Sequence, residues 1–363
     1  MKKYTKDELS IIWLDSFLGL EYKHKVEIFK FIKNASRISE GLILAKDYII
    51  SSTNESEYKT LINSANQSYL DFILTELDRK GIEAITIESE NYPESLANLE
   101  LNPLVLYAKG DIKLLSGNIF AIVGSRKSLP LSITLAQEYV KKLVKHFTLV
   151  TGIAEGVDST VIKTALENGG KVISIVAGGF DNIYPSNNQG LADQVAKNGL
   201  LISEQPPKIV PKPYLFPIRN RIISGLAQGV LVVSGGIKSG TLYTAEYAGE
   251  YGKDLFAIPY NAGVKSGEGC NELIKRGVML TDKPSDILDF YGIEDKETAV
   301  NLSDAEKEII KALSDGQMHI EKLSAVLNKR TFEIMPMLSI LEIKGIVAKS
   351  GNLYELVRNY SEE

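Results

Sequence analysis

Hydrophobic positions change their period near residue 104. Before it they recur at helical spacing. Trp13, Phe17 and Leu20 share one face of a helix that Gly19 would end, and Val26, Phe29 and Ile32 mark a second. Leu70, Ile73, Leu74 and Leu77 repeat at i, i+3, i+4 and i+7 up to Gly81. The polar run from Ser51 to Glu57 reads as a loop between them. Beyond residue 104 the pattern becomes short continuous apolar runs: Leu104–Ala108, Ile119–Val123, Thr148–Val150, Val172–Val176, Leu200–Ser203, Val230–Val233 and Leu255–Ile258. Such runs predict strands buried on both faces, and the intervening segments are long enough for crossover helices. The expected fold is therefore α/β, an extended Rossmann-like sheet, doubly wound and mostly parallel.

After Tyr291 a charged stretch, Glu294-Asp-Lys-Glu-Thr, reads as a linker. Ser303-Asp-Ala-Glu306 is a capping box opening a helix with Ile309 and Leu313 inward. Ile320, Leu323 and Leu327 line a second helix; Ile334, Met337, Leu338 and Leu341 line a third, ended at Gly345. Pro336 suits only a first turn, so the third helix is expected to begin after Thr331. Ile346–Lys349 and Leu353–Leu356 flank Ser350-Gly-Asn352 as a β-hairpin, and three helices with a hairpin make a winged helix-turn-helix. The expected domains are 1–88, helical and of sterile-alpha-motif (SAM) or helix-hairpin-helix type; 89–292, the Rossmann-like core; 293–300, a linker; and 301–363, the winged helix.

Composition narrows the chemistry. One cysteine, Cys270, forbids an intrachain disulfide, and histidines at 24, 146 and 319 are too scattered for a zinc site, so no metal and no cofactor are expected. No run approaches the ~20 apolar residues that span a bilayer. The opening Met-Lys-Lys-Tyr-Thr-Lys-Asp-Glu lacks a signal peptide's apolar region, so a cytoplasmic location without membrane is expected. The net charge is −5, which confines any affinity for polyanions to local patches. Two acid-free stretches supply them: Lys113, Arg126 and Lys127 between Asp111 and Glu138, and Lys208, Lys212, Arg219, Arg221 and Lys238 between Glu204 and Glu246.

In an open parallel sheet, ligands bind beyond the carboxyl ends of the strands. Four loops at that position are glycine-rich: Gly124-Ser125-Arg126-Lys127, Thr151-Gly152 through Gly156 to Asp158, Ala177-Gly178-Gly179-Phe180, and Ser234 through Lys238-Ser239-Gly240-Thr241. Bare amides at a helix start, with about half a positive charge from the helix dipole, favour an anion. Arg219 and Arg221, with Asn220 between them, open a helix after Pro217, where cations oppose the dipole unless a phosphate is bound. Phe180, Tyr184, Tyr214 and Phe216 are candidate platforms for bases.

Phe216-Pro-Ile-Arg219-Asn-Arg221-Ile-Ile-Ser-Gly225, with Gly124-Ser-Arg126, Thr151-Gly-x-Ala-x-Gly156-x-Asp158 and Ser239-Gly-Thr-Leu-x-Thr-Ala245, strongly resembles the DprA/Smf family of DNA-processing proteins. Tyr92-Pro93, Leu106-Tyr107-x-x-Gly110, Ala257-Ile-Pro259 and Gly269-Cys-Asn271 extend the resemblance across almost the whole chain. It implies a homodimer without catalytic residues that binds and shields single-stranded DNA and loads the RecA recombinase during natural transformation. Arg126, Arg219 and Arg221 would contact phosphates, and Gly124, Ser125, Gly152 and Gly156 would shape the pocket. The chain departs from the family pattern at Glu155, Ile162, Ser234 and Tyr260.

Two other readings are carried forward. Ser234-Gly-Gly-x-x-Ser239-Gly-Thr241 followed by Glu246 is similar to the signature of nucleotide phosphoribohydrolases, in which a glutamate works on an N-glycosidic bond. Lys329 and Arg330 before the third C-terminal helix suit a duplex-DNA regulator, against which stand Glu333 and Glu342 on that helix.

Overall fold

A computed structural model describes residues 3–18, 20–294 and 302–357. Gly19 and most of the expected linker lie outside the described residues. The chain divides into two compact units, Met1–Gly292 and Ile293–Glu363.

The first unit begins with six helices. Thr5 and Glu8 cap the helix Lys6–Asp15 reciprocally: the Glu8 amide donates to Thr5 Oγ1 at 3.2 Å and the Thr5 amide to Glu8 Oε2 at 2.7 Å. That helix ends at Asp15, so Phe17 and Leu20 belong to the turn that follows it. Residues Ser51 to Glu57 are no loop. Helix Lys46–Ser52 runs into Thr53 and Asn54, and Asn54 caps helix Glu55–Ser64 by accepting from the Glu57 amide at 2.9 Å. The polar residues are there as caps.

A sheet of nine strands follows: β1 (Glu83–Thr86), β2 (Val105–Gly110), β3 (Ile119–Val123), β4 (Thr148–Thr151), β5 (Val172–Val176), β6 (Leu200–Ser203), β7 (Gly229–Val232), β8 (Asp254–Ala257) and β9 (Met279–Leu280). Their spatial order is β1-β2-β6-β5-β4-β3-β7-β8-β9. All neighbours from β6 to β9 are parallel; β2 runs antiparallel to β6 and β1 antiparallel to β2. The chain winds outward from β3 to β6, then returns to lay β7 against the other side of β3, so the order reverses between β3 and β7.

β1 precedes residue 88, where the sequence reading ends the helical part. One of its edges pairs with β2, and Ala84, Val105 and Tyr107 share one buried cluster with Ile11, Ile12, Trp13 and Leu14 of the first helix. Apolar surface on the amino-terminal helices is thus covered by the antiparallel end of the sheet. Among the described residues, no helix is long and apolar enough to cross a membrane.

The second unit contains helices Asp304–Leu313, Ile320–Leu327 and Thr331–Ile343 and a three-stranded sheet in which β12 (Leu353–Leu356) lies between β10 (Met318–His319) and β11 (Val347–Ser350). Ser303 and Glu306 form the expected capping box, the Ser303 amide donating to Glu306 Oε2 at 2.7 Å. Pro336 does sit inside its helix, which starts at Thr331. Burial of Ile334, Leu338 and Leu341 on the opposite face holds the helix together across the missing N–H.

Candidate functional site

The topological reversal leaves a crevice at the carboxyl ends of β3 and β7. It is an open cavity of about 890 Å³. Gly124, Ser125, Arg126 and Lys127 enter it from the loop after β3; Lys238, Ser239, Gly240 and Thr241 enter from the loop after β7; Arg219 and Asn220 come from helix Leu215–Leu226. These ten sequence-predicted residues are brought together. Thr151, Gly152, Gly156 and Arg221 do not line the cavity.

Hydrogen bonds fix both loops. The Ser125 amide donates to Ser234 Oγ at 3.3 Å, the Lys127 amide to Ser125 Oγ at 3.2 Å, and Ser128 Oγ to the Ser125 carbonyl at 2.7 Å. On the other side the Thr241 amide donates to Ser239 Oγ at 3.3 Å, and Asn220 Nδ2 reaches the Gly240 carbonyl at 3.1 Å, tying the helix to the loop. Thr241 also starts helix Thr241–Glu250, whose positive end therefore faces the cavity. Gly156 acts from behind. Its φ is +78°, and a Cβ there would lie 2.4 Å from the Ser125 carbonyl oxygen and 2.6 Å from that of Arg126. Glycine is what allows helix Val157–Glu167 to pack against the Arg126 loop.

The three arginines have different surroundings. Arg126 lies in the cavity with its guanidinium carbon 4.9 Å from the centre of the Phe216 ring, and Tyr184 meets Phe216 edge-on at 5.6 Å. Arg219 forms part of the cavity wall but is only 8% exposed. Its Nη1 donates to the Ile175 carbonyl and its Nε to Asn220 Oδ1 at 3.1 Å. Burial pulls Arg219 down to about 10, and the negative charge of buried Asp158 opposes that shift, so Arg219 remains a cation at neutral pH. Burial likewise pushes the Asp158 carboxyl up, against the attraction of Arg219. Asp158 Oδ2 accepts from the Ala154 amide at 3.3 Å. Asp158 is the one acid among the residues lining the cavity.

Arg221 points elsewhere. It is 4% exposed and forms an ion pair with Glu204. Residues two apart on a helix project about 200° from one another, so Arg219 and Arg221 cannot serve the same face. Glu204 is itself buried, which raises its carboxyl against the attraction of Arg221. Close by, Lys25 Nζ meets Asp15 Oδ1 at 2.9 Å and the Tyr107 hydroxyl donates to Asp15 Oδ2 at 2.9 Å. Arg221 therefore belongs to a polar seam beneath the amino-terminal helices.

Of the candidate platforms, Tyr184 and Phe216 line the cavity, while Tyr214 is 59% exposed outside it. Phe180 packs against the amino-terminal core. The loop carrying Gly178 and Gly179 is engaged by its own chain, the Gly179 amide donating to the Ile209 carbonyl at 2.8 Å. Glu246 does not line the cavity. Two residues had no signal in the sequence reading: Pro211 and Pro213, which form one wall. Among the departures from the family pattern, Ile162 is core, Glu155 is exposed, and Ser234 and Tyr260 have structural partners. The Tyr260 hydroxyl donates to the Val233 carbonyl at 2.8 Å.

A mostly parallel sheet with basic, glycine-rich loops gathered at its point of reversal defines an α/β protein of the Rossmann-like class. The family model for DNA recombination-mediator protein A matches residues 83–292, and the chain belongs to that family. It is 39% identical over 233 residues to the DNA processing protein DprA of Bacillus subtilis, covering 63% of this chain and 78% of that one. Against protein Smf of Escherichia coli the identity is 30%, covering 78% and 79%. The X-ray structure of DNA processing protein A from Streptococcus pneumoniae aligns with a TM-score of 0.68 at 29% identity, over 79% of this chain and 98% of that one. The Helicobacter pylori protein, solved for its single-stranded DNA binding mode, aligns at 0.53 with 30% identity, over 58% and 95%. The Bacillus subtilis, Streptococcus pneumoniae and Helicobacter pylori proteins are named DNA processing proteins, and the family description is that of a recombination-mediator protein.

Proposed function

We propose that this chain binds single-stranded DNA in the cavity between β3 and β7, holding phosphates and leaving the DNA chemically unchanged. The observation that carries the reading is the lining itself: Arg126, Lys127 and Lys238 with the loop amides around Ser125 and Thr241, against a single acid whose charge faces Arg219. Phosphates would sit on those cations and amides, with Gly152 and Gly156 shaping the floor behind them and Arg219 and Asn220 closing one side. A base would stack on Phe216 or Tyr184. The flexibility of a single strand lets its phosphates follow the irregular lining of the cavity.

On this reading the protein is a cytoplasmic homodimer that shields strands taken up in natural transformation or exposed in recombination, and passes them to a RecA recombinase. The second unit is read as a winged helix. Its Lys329 is paired with Glu308, and its third helix presents Phe332 and Met335 to solvent, which favours a protein contact over duplex recognition. Binding of single-stranded and duplex oligonucleotides across a salt series tests the proposal. Single strands should bind more tightly, with log affinity falling by about 0.7 per phosphate contacted for each decade of salt. Equal affinity for duplex would overturn it.

A further inference from the structure

Two segments lead from the cavity toward the amino-terminal helices. One is the loop after β5, in which Tyr184 lines the cavity while Phe180 packs on the core of those helices and Asp181 forms an ion pair with Lys80. The other precedes helix Leu215–Leu226, and in it Pro211 and Pro213 line the cavity. They are tied side by side: the Gly179 amide donates to the Ile209 carbonyl at 2.8 Å, the Asp181 amide to the Pro207 carbonyl at 2.9 Å, and Asn182 Nδ2 to the Lys208 carbonyl at 3.0 Å. A Cβ on Gly179 would lie 2.2 Å from the carbonyl oxygens of both Pro206 and Pro207, so only glycine lets the segments approach this closely. The result is a firm ledge that begins in the cavity and ends at helix Gln67–Arg79.

The outward side of the ledge is basic and aromatic. Lys208, Val210 and Lys212 are exposed while Ile209 and Pro211 are half-buried, so alternate residues face out as in an extended chain. Neither lysine forms an ion pair among the described residues, because the acids at this end are taken by other cations: Asp181 by Lys80 and Glu76 by Arg79. Asp71, the neighbour of Phe72, projects about 100° away from it on the helix and accepts from Gln67 Nε2 at 2.8 Å. Lys208 Nζ lies 5.9 Å from the centre of the Phe72 ring, and Phe72 is 56% exposed. An open aromatic face beside an ammonium without a carboxylate suits a base and its phosphate. Lys208 stands three residues from Pro211 of the cavity wall, a span of at most about 11 Å. We infer that a single strand leaving the cavity continues along this ledge, setting a phosphate on Lys208 and stacking a base on Phe72. The inference rests on the cavity's holding DNA, and it extends the footprint onto the amino-terminal helices.

Length-dependent binding by the full chain tests this. Labelled oligothymidylates of about 6 and about 20 nucleotides are titrated by anisotropy, the shorter confined to the cavity and the longer able to reach the ledge. The Phe72→Ala, Lys208→Ala double variant should bind the longer strand about tenfold more weakly than the parent, with a log–log salt slope flattened by about 0.7. It should bind the shorter strand as the parent does. Circular dichroism should be unchanged, since both side chains are exposed. Arg126→Ala should weaken both lengths. With that control met, a double variant that holds the longer strand as tightly as the parent, or that loses equally for both lengths, would overturn the ledge and leave the cavity in place. If Arg126→Ala weakens neither length, the cavity reading fails and the ledge falls with it.

Discussion

The cavity at the carboxyl edge of the sheet and the seam beneath the amino-terminal helices both use arginine, but in opposite ways. Arg126 lies in open space against an aromatic ring, while Arg221 is enclosed with Glu204. A guanidinium facing water keeps its charge available to a ligand. One taken out of water needs a carboxylate of its own, and the pair then holds the fold together. Arg219 stands between these cases, in the cavity wall yet largely buried, with Asp158 offsetting part of its charge.

The contrast is sharpest in the response to truncation. Glu204→Ala leaves the Arg221 charge buried and uncompensated, so urea unfolding should show a loss of about 3–5 kcal/mol. The salt dependence of DNA binding by the folded fraction should not change. Gly156→Ala tests the boundary between the regions: strain at positive φ and collision with the Arg126 loop should cost about 1–3 kcal/mol of stability and also weaken binding. An effect on stability alone would show that the Arg126 loop tolerates displacement. Phe216→Ala should reduce single-strand affinity by about 1–3 kcal/mol, read by anisotropy titration, if a base stacks there. Arg126→Ala should leave the unfolding midpoint within about 0.5 kcal/mol of the parent and act on binding alone. A large destabilisation by Arg126→Ala would place it with Arg221 and remove the distinction.

Much of this was legible from the order of residues, and the exceptions have identifiable causes. Ile119–Val123, Val172–Val176 and Leu200–Ser203 form strands with the bounds expected, since a continuous apolar run between turn residues has few alternatives in a parallel sheet. β1 and β9 escaped because four residues of mixed polarity, or two residues, carry no period; their pairing is decided by neighbours distant in the chain. The loops after β3 and β7 reach the cavity as expected, because a strand's carboxyl end fixes where its loop emerges. Arg221 does not, since spacing along the chain was read without the rotation of the helix. Thr151, Gly152 and Gly156 belong to the support of the cavity rather than its lining, a difference that depends on which loop lies outermost.

The account rests on Arg126 and Lys238 approaching one strand from opposite sides of the cavity. Its most direct test is the salt dependence of single-stranded DNA binding by the Arg126→Ala, Lys238→Ala double variant beside the parent. Losing two phosphate contacts should flatten the log–log slope by about 1.4, with folding intact. A slope equal to the parent's would mean that the strand is held somewhere else.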